Sequence, residues 1–390
     1  MRELSSALAR AGVECDVFTR AWSDDLPDVV GVEPGLRVHH VPAGPPEPVP
    51  KEHLRALVAE FADGVKDRMA DSVAGLDEPS FDAIHANYWL SGLAGHQLKH
   101  ELDLPLVSTF HTLDRVKAES SPEEVSSDEP HQRAEAEAQI MACSEIVLAS
   151  CSVEADQLVD LYGADPGRIR IVPPGVDHAF FAPGYRPQAR RAVGLPEDGP
   201  LIAFVGRIQP LKGADIAIGV LEATSASFPD AHLVVVGGPS GPHGTEHLKA
   251  LRRQVESAGL EQLVRFVAPQ PHELLSTYYR AADLCLVPSR SESFGLVALE
   301  SAACGTPVVA AAVGGLTTLV EDGLTGYLVE GHEVDGFAAA AAKLISDSSQ
   351  AEAFGANAVI RARTFTWAGA AELLRSTYED LAAERLVGCR

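Results

Sequence analysis

Short runs of β-branched and other apolar residues recur along the chain. Between them lie longer stretches in which apolar positions return every three to four residues. The short runs predict strands buried on both faces, and the longer stretches predict helices that cover them. In the first half, strands are predicted at Val13–Thr19, Leu36–Val41, Ala83–His85, Leu104–Phe110, Glu145–Ala149 and Arg168–Val172. In the second half they are predicted at Leu201–Val205, His232–Val236, Val264–Val267, Leu284–Val287, Pro307–Ala310 and Gly326–Val329. Helices fit between most of these, as at Lys212–Thr224, where Ile216, Ile218, Val220 and Leu221 form an apolar stripe, and at His272–Ala281. This alternation predicts an α/β protein with parallel sheets and helical crossovers.

Two Pro–Gly clusters, Pro173-Pro174-Gly175 and Pro183-Gly184, punctuate the middle of the chain. They predict a first domain over residues 1–183 and a second over 184–366, with a C-terminal helix at about 367–390 packing back on the first. Both domains are expected to be Rossmann-like and doubly wound, facing across a cleft, with ligands beyond the carboxyl ends of the strands. The chain opens on a helix-like stretch, Arg2–Arg10. A doubly wound domain opens on a strand and a Gly-rich turn, so that first strand is expected to be absent. Pro42–Pro50 is expected to be extended, and the acidic Glu119–Pro130 to be a solvated loop.

Composition narrows the function. A length of 390 residues suits two domains, and 46% hydrophobic with 22% charged residues is a globular mixture. A formal charge of −24 excludes nucleic acid or an anionic membrane held through the average field. Any anion must be held by a few placed cations and backbone amides. The six cysteines show no metal-binding spacing and read as thiols in a reducing compartment. No apolar run reaches the ~20 residues of a membrane span, and Met1-Arg2-Glu3 does not begin a leader peptide. A cytoplasmic protein is expected, the alternative being a peripheral protein docked by a local patch.

The most specific stretch runs from Pro288 to Glu300, after a strand, and is expected to open a helix at about Phe294. Unpaired amides at a helix start form a site for anions or hydroxyls. Glu292 and Glu300, with seven residues between them, are expected along one side of the same cleft, where they could hold sugar and ribose hydroxyls. The bland alternative is a helix cap and a surface glutamate. In Gly206-Arg207-Ile208-Gln209-Pro210-Leu211-Lys212-Gly213, a buried strand ends at a glycine and two cations five residues apart follow. A fork and a point charge suit a diphosphate, although a solvated pair would look the same. Gly237-Gly238 and Gly314-Gly315 are weak signals, since turns need glycine. In the first half, His111-Thr112 and Asn87-Tyr88 end neighbouring strands. Arg133 with Glu137 lies one helical turn apart, a spacing equally suited to a plain ion pair. There is no Walker loop, G-x-S-x-G elbow, H-E-x-x-H, or D-x-D in a plausible metal-binding turn.

The Arg207/Lys212 loop, Ser291-Glu292-Ser293-Phe294-Gly295 with Glu300, Cys304-Gly305-Thr306-Pro307, and Val313-Gly314-Gly315 together resemble family 4 retaining glycosyltransferases of GT-B architecture. The resemblance covers nearly the whole chain. Within the family the chain is similar to the branch that glycosylates inositol phosphate in mycothiol biosynthesis. Lys51-Glu52, Tyr88-Trp89-Leu90-Ser91-Gly92, His111-Thr112-Leu113 and Thr364-Phe365-Thr366-Trp367 carry that likeness. The resemblance implies a UDP-sugar donor, carrying GlcNAc or glucose, and a sugar phosphate or inositol phosphate acceptor. It implies no prosthetic group, no metal in the reaction, and admits a homodimer. It assigns Arg207 and Lys212 to the donor diphosphate and Glu300 to the ribose. Glu292, with the backbone at Ser293, Phe294, Gly295 and Leu296 and the close approach at Gly206, would hold the donor sugar. His111 would lie near the reacting centre, and Lys51, Tyr88, Thr112 and Arg133 would grip the acceptor phosphate. The family also opens with a strand and a Gly-Gly loop, expected to be missing here. Sucrose-phosphate synthases share much of the pattern. A degenerate, non-catalytic nucleotide-sugar-binding protein and a UDP-sugar epimerase are the other readings.

Overall fold

A computed structural model describes residues 2–72, 81–120, 130–241, 243–381 and 386–388. Its contacts divide the chain into two units, the first built from Met1–Val116, Ser126–Gly175 and Trp367–Arg390, the second mainly from Val176–Thr366. The acidic 119–130 stretch falls largely outside the described residues.

The first unit contains β1 (Cys15–Arg20), β2 (Val29–Glu33), β3 (Leu36–Val41), β4 (Ile84–Asn87), β5 (Leu106–Thr109), β6 (Ile146–Ala149) and β7 (Ile169–Ile171). They form two sheets, ordered β1-β3-β2 and β4-β5-β6-β7. All pairings are parallel except β2 with β3. β2 was not expected from the sequence. Four of its five residues are exposed, so it lacks the buried apolar signature that marks the other strands. The helix Arg2–Arg10 and the C-terminal helix Trp367–Leu381 pack together over β5 and β6 through Ala7, Leu8, Val107, Ile146, Leu148, Ala371 and Leu374. Helices Val58–Ser72 and Trp89–Leu102 share another apolar cluster with Val41.

The second unit contains β8 (Leu201–Val205), β9 (His232–Val236), β10 (Val264–Val267), β11 (Leu284–Val287), β12 (Val308–Ala311) and β13 (Gly326–Val329). They make one parallel sheet ordered β10-β9-β8-β11-β12-β13. Counted from the first strand of the unit this is 3-2-1-4-5-6, so the winding direction reverses between β8 and β11. β8, β11 and β12 are buried throughout, as strands covered on both faces must be. Helix Ala214–Ser225 buries Ile216, Ile218, Val220 and Leu221 against the sheet.

Cys15, Cys151, Cys285 and Cys304 are thiols outside any disulfide, whereas Cys143 is disulfide-bonded, which corrects the reading of every cysteine as a thiol. Burial pushes Cys285 and Cys304 up to about 12, so both are unreactive as nucleophiles.

Candidate functional site

In the second unit the two loops that follow β8 and β11 emerge at the reversal point. Beyond β8, Gly206 donates to the Val236 carbonyl (3.0 Å) and Ile208 to that of Gly238 (2.8 Å). Buried Ile208 anchors the loop while its neighbour Arg207 stays exposed, with no ion pair among the described residues. A short 3-10 turn, Pro210–Lys212, leads to Gly213 at φ +72°, where a Cβ would lie 2.4 Å from the Pro288 carbonyl oxygen. The turn therefore splits the expected Lys212–Thr224 helix from Ala214 onward. Arg290 in the β11 loop donates its amide to the Leu211 carbonyl at 2.8 Å, tying the two loops together.

Lys212 Nζ lies 2.5 Å from Glu292 Oε2, and Ser289 Oγ donates to the same oxygen at 3.2 Å. The helix opens at Leu296 rather than Phe294, because Gly295 at its start takes φ +102°. The amides of Leu296, Val297 and Ala298 donate to no carbonyl among the described residues, and Leu299 makes the first helical bond, to Gly295. Gly314 and Gly315, read as weak signals, hold this loop in place. Gly315 donates to the Glu292 carbonyl at 3.0 Å, and a Cβ at Gly314 would lie 1.9 Å from that oxygen.

Glu300 has partners of its own. Only Glu300 is on the helix, and its buried carboxylate accepts from His272 Nε2 (2.9 Å) and the Tyr279 hydroxyl (2.8 Å). Burial and the adjacent carboxylate raise the Tyr279 phenol well above its ordinary value, so it is a donor. His272 and Tyr279 carry no motif. Their distance from Glu300 in sequence hid them.

In the first unit, β4 and β5 end side by side. Two of the three non-glycine residues at positive φ among the described residues sit there, Tyr88 at +80° and His111 at +62°. His111 Nε2 lies 2.9 Å from Asn87 Oδ1, which requires the ring proton on Nε2. Desolvation lowers the His111 pKa, favouring the neutral ring. Arg133 donates through Nη2 to the Thr112 carbonyl (2.7 Å) and hydroxyl (3.1 Å), and through Nη1 to the Tyr88 hydroxyl (3.4 Å). Its Nε donates to Glu137 at 2.7 Å, so the plain ion pair and the cluster coexist. Glu137 is fully buried and also accepts from the Asp114 amide and the Tyr162 hydroxyl. Burial works against the charge on Arg133, but Glu137, Tyr88 and Asp114 together outweigh it and the guanidinium pKa is raised. The structure thus brings Tyr88, Thr112 and Arg133 together. Lys51, exposed at the start of the 3-10 helix Lys51–Leu57, has no hydrogen bond or ion pair to them.

A glycosyl transferases group 1 model matches residues 186–361, and a glycosyltransferase family 4 model matches residues 1–180. A D-inositol 3-phosphate glycosyltransferase of Acidothermus cellulolyticus is 45% identical over 388 residues, 98% of this chain and 85% of that protein. The chain belongs to glycosyltransferase family 4. A protein of the same description from Kribbella flavida is 45% identical over 98% of this chain and 91% of its own. The solved sucrose-phosphate synthase from Thermosynechococcus elongatus superposes with a TM-score of 0.86 at 34% identity, covering 98% of this chain and 92% of that one. The chain is therefore a glycosyltransferase of GT-B fold. In open sheets of this winding, ligands bind at the reversal point, beyond the carboxyl ends of the strands. No helix among the described residues is long and apolar enough to cross a membrane.

Proposed function

We propose that the chain transfers GlcNAc or glucose, with retention, from a UDP-sugar to inositol 3-phosphate or a similar phosphorylated polyol. One observation carries the donor reading. Arg207, the Lys212–Glu292 pair and the amides of Leu296, Val297 and Ala298, which donate to no carbonyl among the described residues, all follow β8 or β11, the strands at the reversal of the second sheet. That set offers a planar fork, a point charge and a helix N-terminus to a diphosphate. Glu300, held by His272 and Tyr279, would accept from the ribose, and Gly206 with the Ser293–Gly295 backbone would allow close approach of the donor.

As the glycosidic bond loosens, negative charge grows on the leaving phosphate, and Arg207 and Lys212 stabilise it. The acceptor hydroxyl attacks the anomeric carbon on the face being vacated, and the departing phosphate oxygen takes the hydroxyl proton. Glu292 pairs with Lys212 and balances its charge. A sugar hydroxyl donating to Glu292 would loosen that pair and return the lysine charge to the phosphate. This chemistry calls for no metal. His111, neutral and oriented by Asn87, would contact the transferred sugar. In the first unit, Arg133, Thr112 and Tyr88, joined by Lys51, would bind the acceptor phosphate. The related proteins described as D-inositol 3-phosphate glycosyltransferases support this acceptor. The likeness to a sucrose-phosphate synthase supports a second reading, a hexose phosphate acceptor.

Nucleotide release measured with UDP-GlcNAc and UDP-glucose against inositol 3-phosphate, inositol and fructose 6-phosphate tests both. Inositol 3-phosphate should exceed inositol by at least about tenfold, the worth of one charged contact. Equal rates would remove the phosphate-binding reading, and preference for fructose 6-phosphate would select the second acceptor.

A further inference from the structure

Helix Trp89–Leu102 carries His96 and His100 one turn apart, and their Nε2 atoms are 3.2 Å from each other. Cys143, the last residue of helix Pro130–Cys143, brings its Sγ to the same place. The three ligand atoms all lie within 4.8 Å of one another. Zinc takes imidazole nitrogens at ~2.0–2.1 Å and thiolate sulfur at ~2.3 Å, so two nitrogens on one tetrahedral ion are about 3.3 Å apart. The histidine pair already has that separation.

The two helices are locked at this point. Buried Lys99, between the histidines, donates to the Cys143 carbonyl and to Glu145, both at 2.5 Å. Glu145 balances the lysine charge, so the site does not face an uncompensated cation. A rigid frame of this kind holds ligands in place without a metal to gather them.

Cys143 is disulfide-bonded in the structure, and a half-cystine sulfur is a poor metal ligand. We propose that His96, His100 and reduced Cys143 form a binding site for zinc or a similar borderline divalent ion, opened by reduction of the Cys143 disulfide. A dithiol supplies the two electrons and two protons that break the S–S bond, and itself closes to a disulfide. The incoming ion then displaces the Cys143 thiol proton to solvent, and water completes the coordination. His96 and His100 lie eight and twelve residues beyond Tyr88 along one helix, about 12 and 18 Å at 1.5 Å per residue. The site is thus separate from the Tyr88–Arg133 cluster, and its role is to staple two helices of the first unit.

The test uses the untagged full chain, reduced with a phosphine or oxidised with diamide, exposed to zinc chloride and desalted. Metal content is read by mass spectrometry. Reduced protein should retain about one zinc per chain, and oxidised protein and a His96→Asn/His100→Asn variant at least tenfold less. Cobalt in the reduced protein should show a thiolate-to-metal absorption band that Cys143→Ser lacks. Circular dichroism checks that each variant is folded, and the exposed position of His100 makes a single His100→Asn variant a mild alternative. Equal zinc in reduced protein and the double variant would overturn the proposal, as would equal zinc in reduced and oxidised protein. No cobalt–thiolate band in the reduced chain would remove Cys143 from it.

Discussion

Single side chains set the charge balance of the proposed chemistry. Lys212 is paired with Glu292, and exposed Arg207 has no ion pair among the described residues. Lys212→Ala should lower turnover about 10²–10³-fold, the range for losing one donor to a developing anion. Steady-state kinetics should show the loss in kcat, and a wild-type rate would remove Lys212 from the diphosphate. His85 bridges Tyr378 and Thr109. Its Nδ1 meets the Tyr378 hydroxyl at 2.7 Å and its Nε2 meets Thr109 Oγ1 at 2.8 Å. Burial, with a smaller contribution from His111, lowers its pKa to about 4. Below pH 6.5 the unfolded chain binds a proton that the folded chain refuses, so stability falls with pH from 6.5 to about 4. The full cost is about 3 kcal/mol at ~1.4 kcal/mol per pK unit. Denaturant midpoints should follow that slope, and His85→Gln should flatten it. An unchanged slope in the variant would show that other groups carry the acid sensitivity.

Backbone fit governs the loop after β11. The β11 loop is clamped between Gly213 and Gly314, each at positive φ and each with a carbonyl oxygen where a Cβ would go. Gly314→Ala should displace the Glu292 carbonyl, cost about 2 kcal/mol of stability from backbone strain, and lower kcat/KM for the donor at least tenfold. Thermal melts and donor kinetics read both, and a neutral result would show that the loop tolerates movement. This also explains what the sequence could reveal. Strands such as Leu201–Val205 and Leu284–Val287 are apolar runs bounded by turn residues, and they are observed with the expected limits. The Lys212–Glu292 loops were legible because glycine, charge and position after a strand coincide there. Gly314-Gly315 was undervalued, since the contact it serves is with a segment some twenty residues earlier. His272 and Tyr279 were invisible for the same reason, and β2 because its exposed edge needs no buried pattern.

At the scale of the whole chain, the first unit is assembled from segments distant in sequence, and the second from essentially one. Trp367–Leu381 returns to cover Arg2–Arg10, β5 and β6, with Leu374 fully buried in that cluster. The core of the second unit, from Ile202 to Phe354, includes no residue of that helix. The two cores are therefore expected to lose stability separately. Leu374→Ala removes a buried side chain and should cost the first unit about 2–5 kcal/mol. Native-state hydrogen exchange should show faster exchange at Arg2–Arg10, β5, β6 and Trp367–Leu381, with β8, β9, β11 and β12 unchanged. Faster exchange throughout would instead make the chain a single cooperative unit. The same variant separates roles in catalysis. If the units hold acceptor and donor respectively, it should weaken acceptor use before it weakens UDP binding measured by calorimetry.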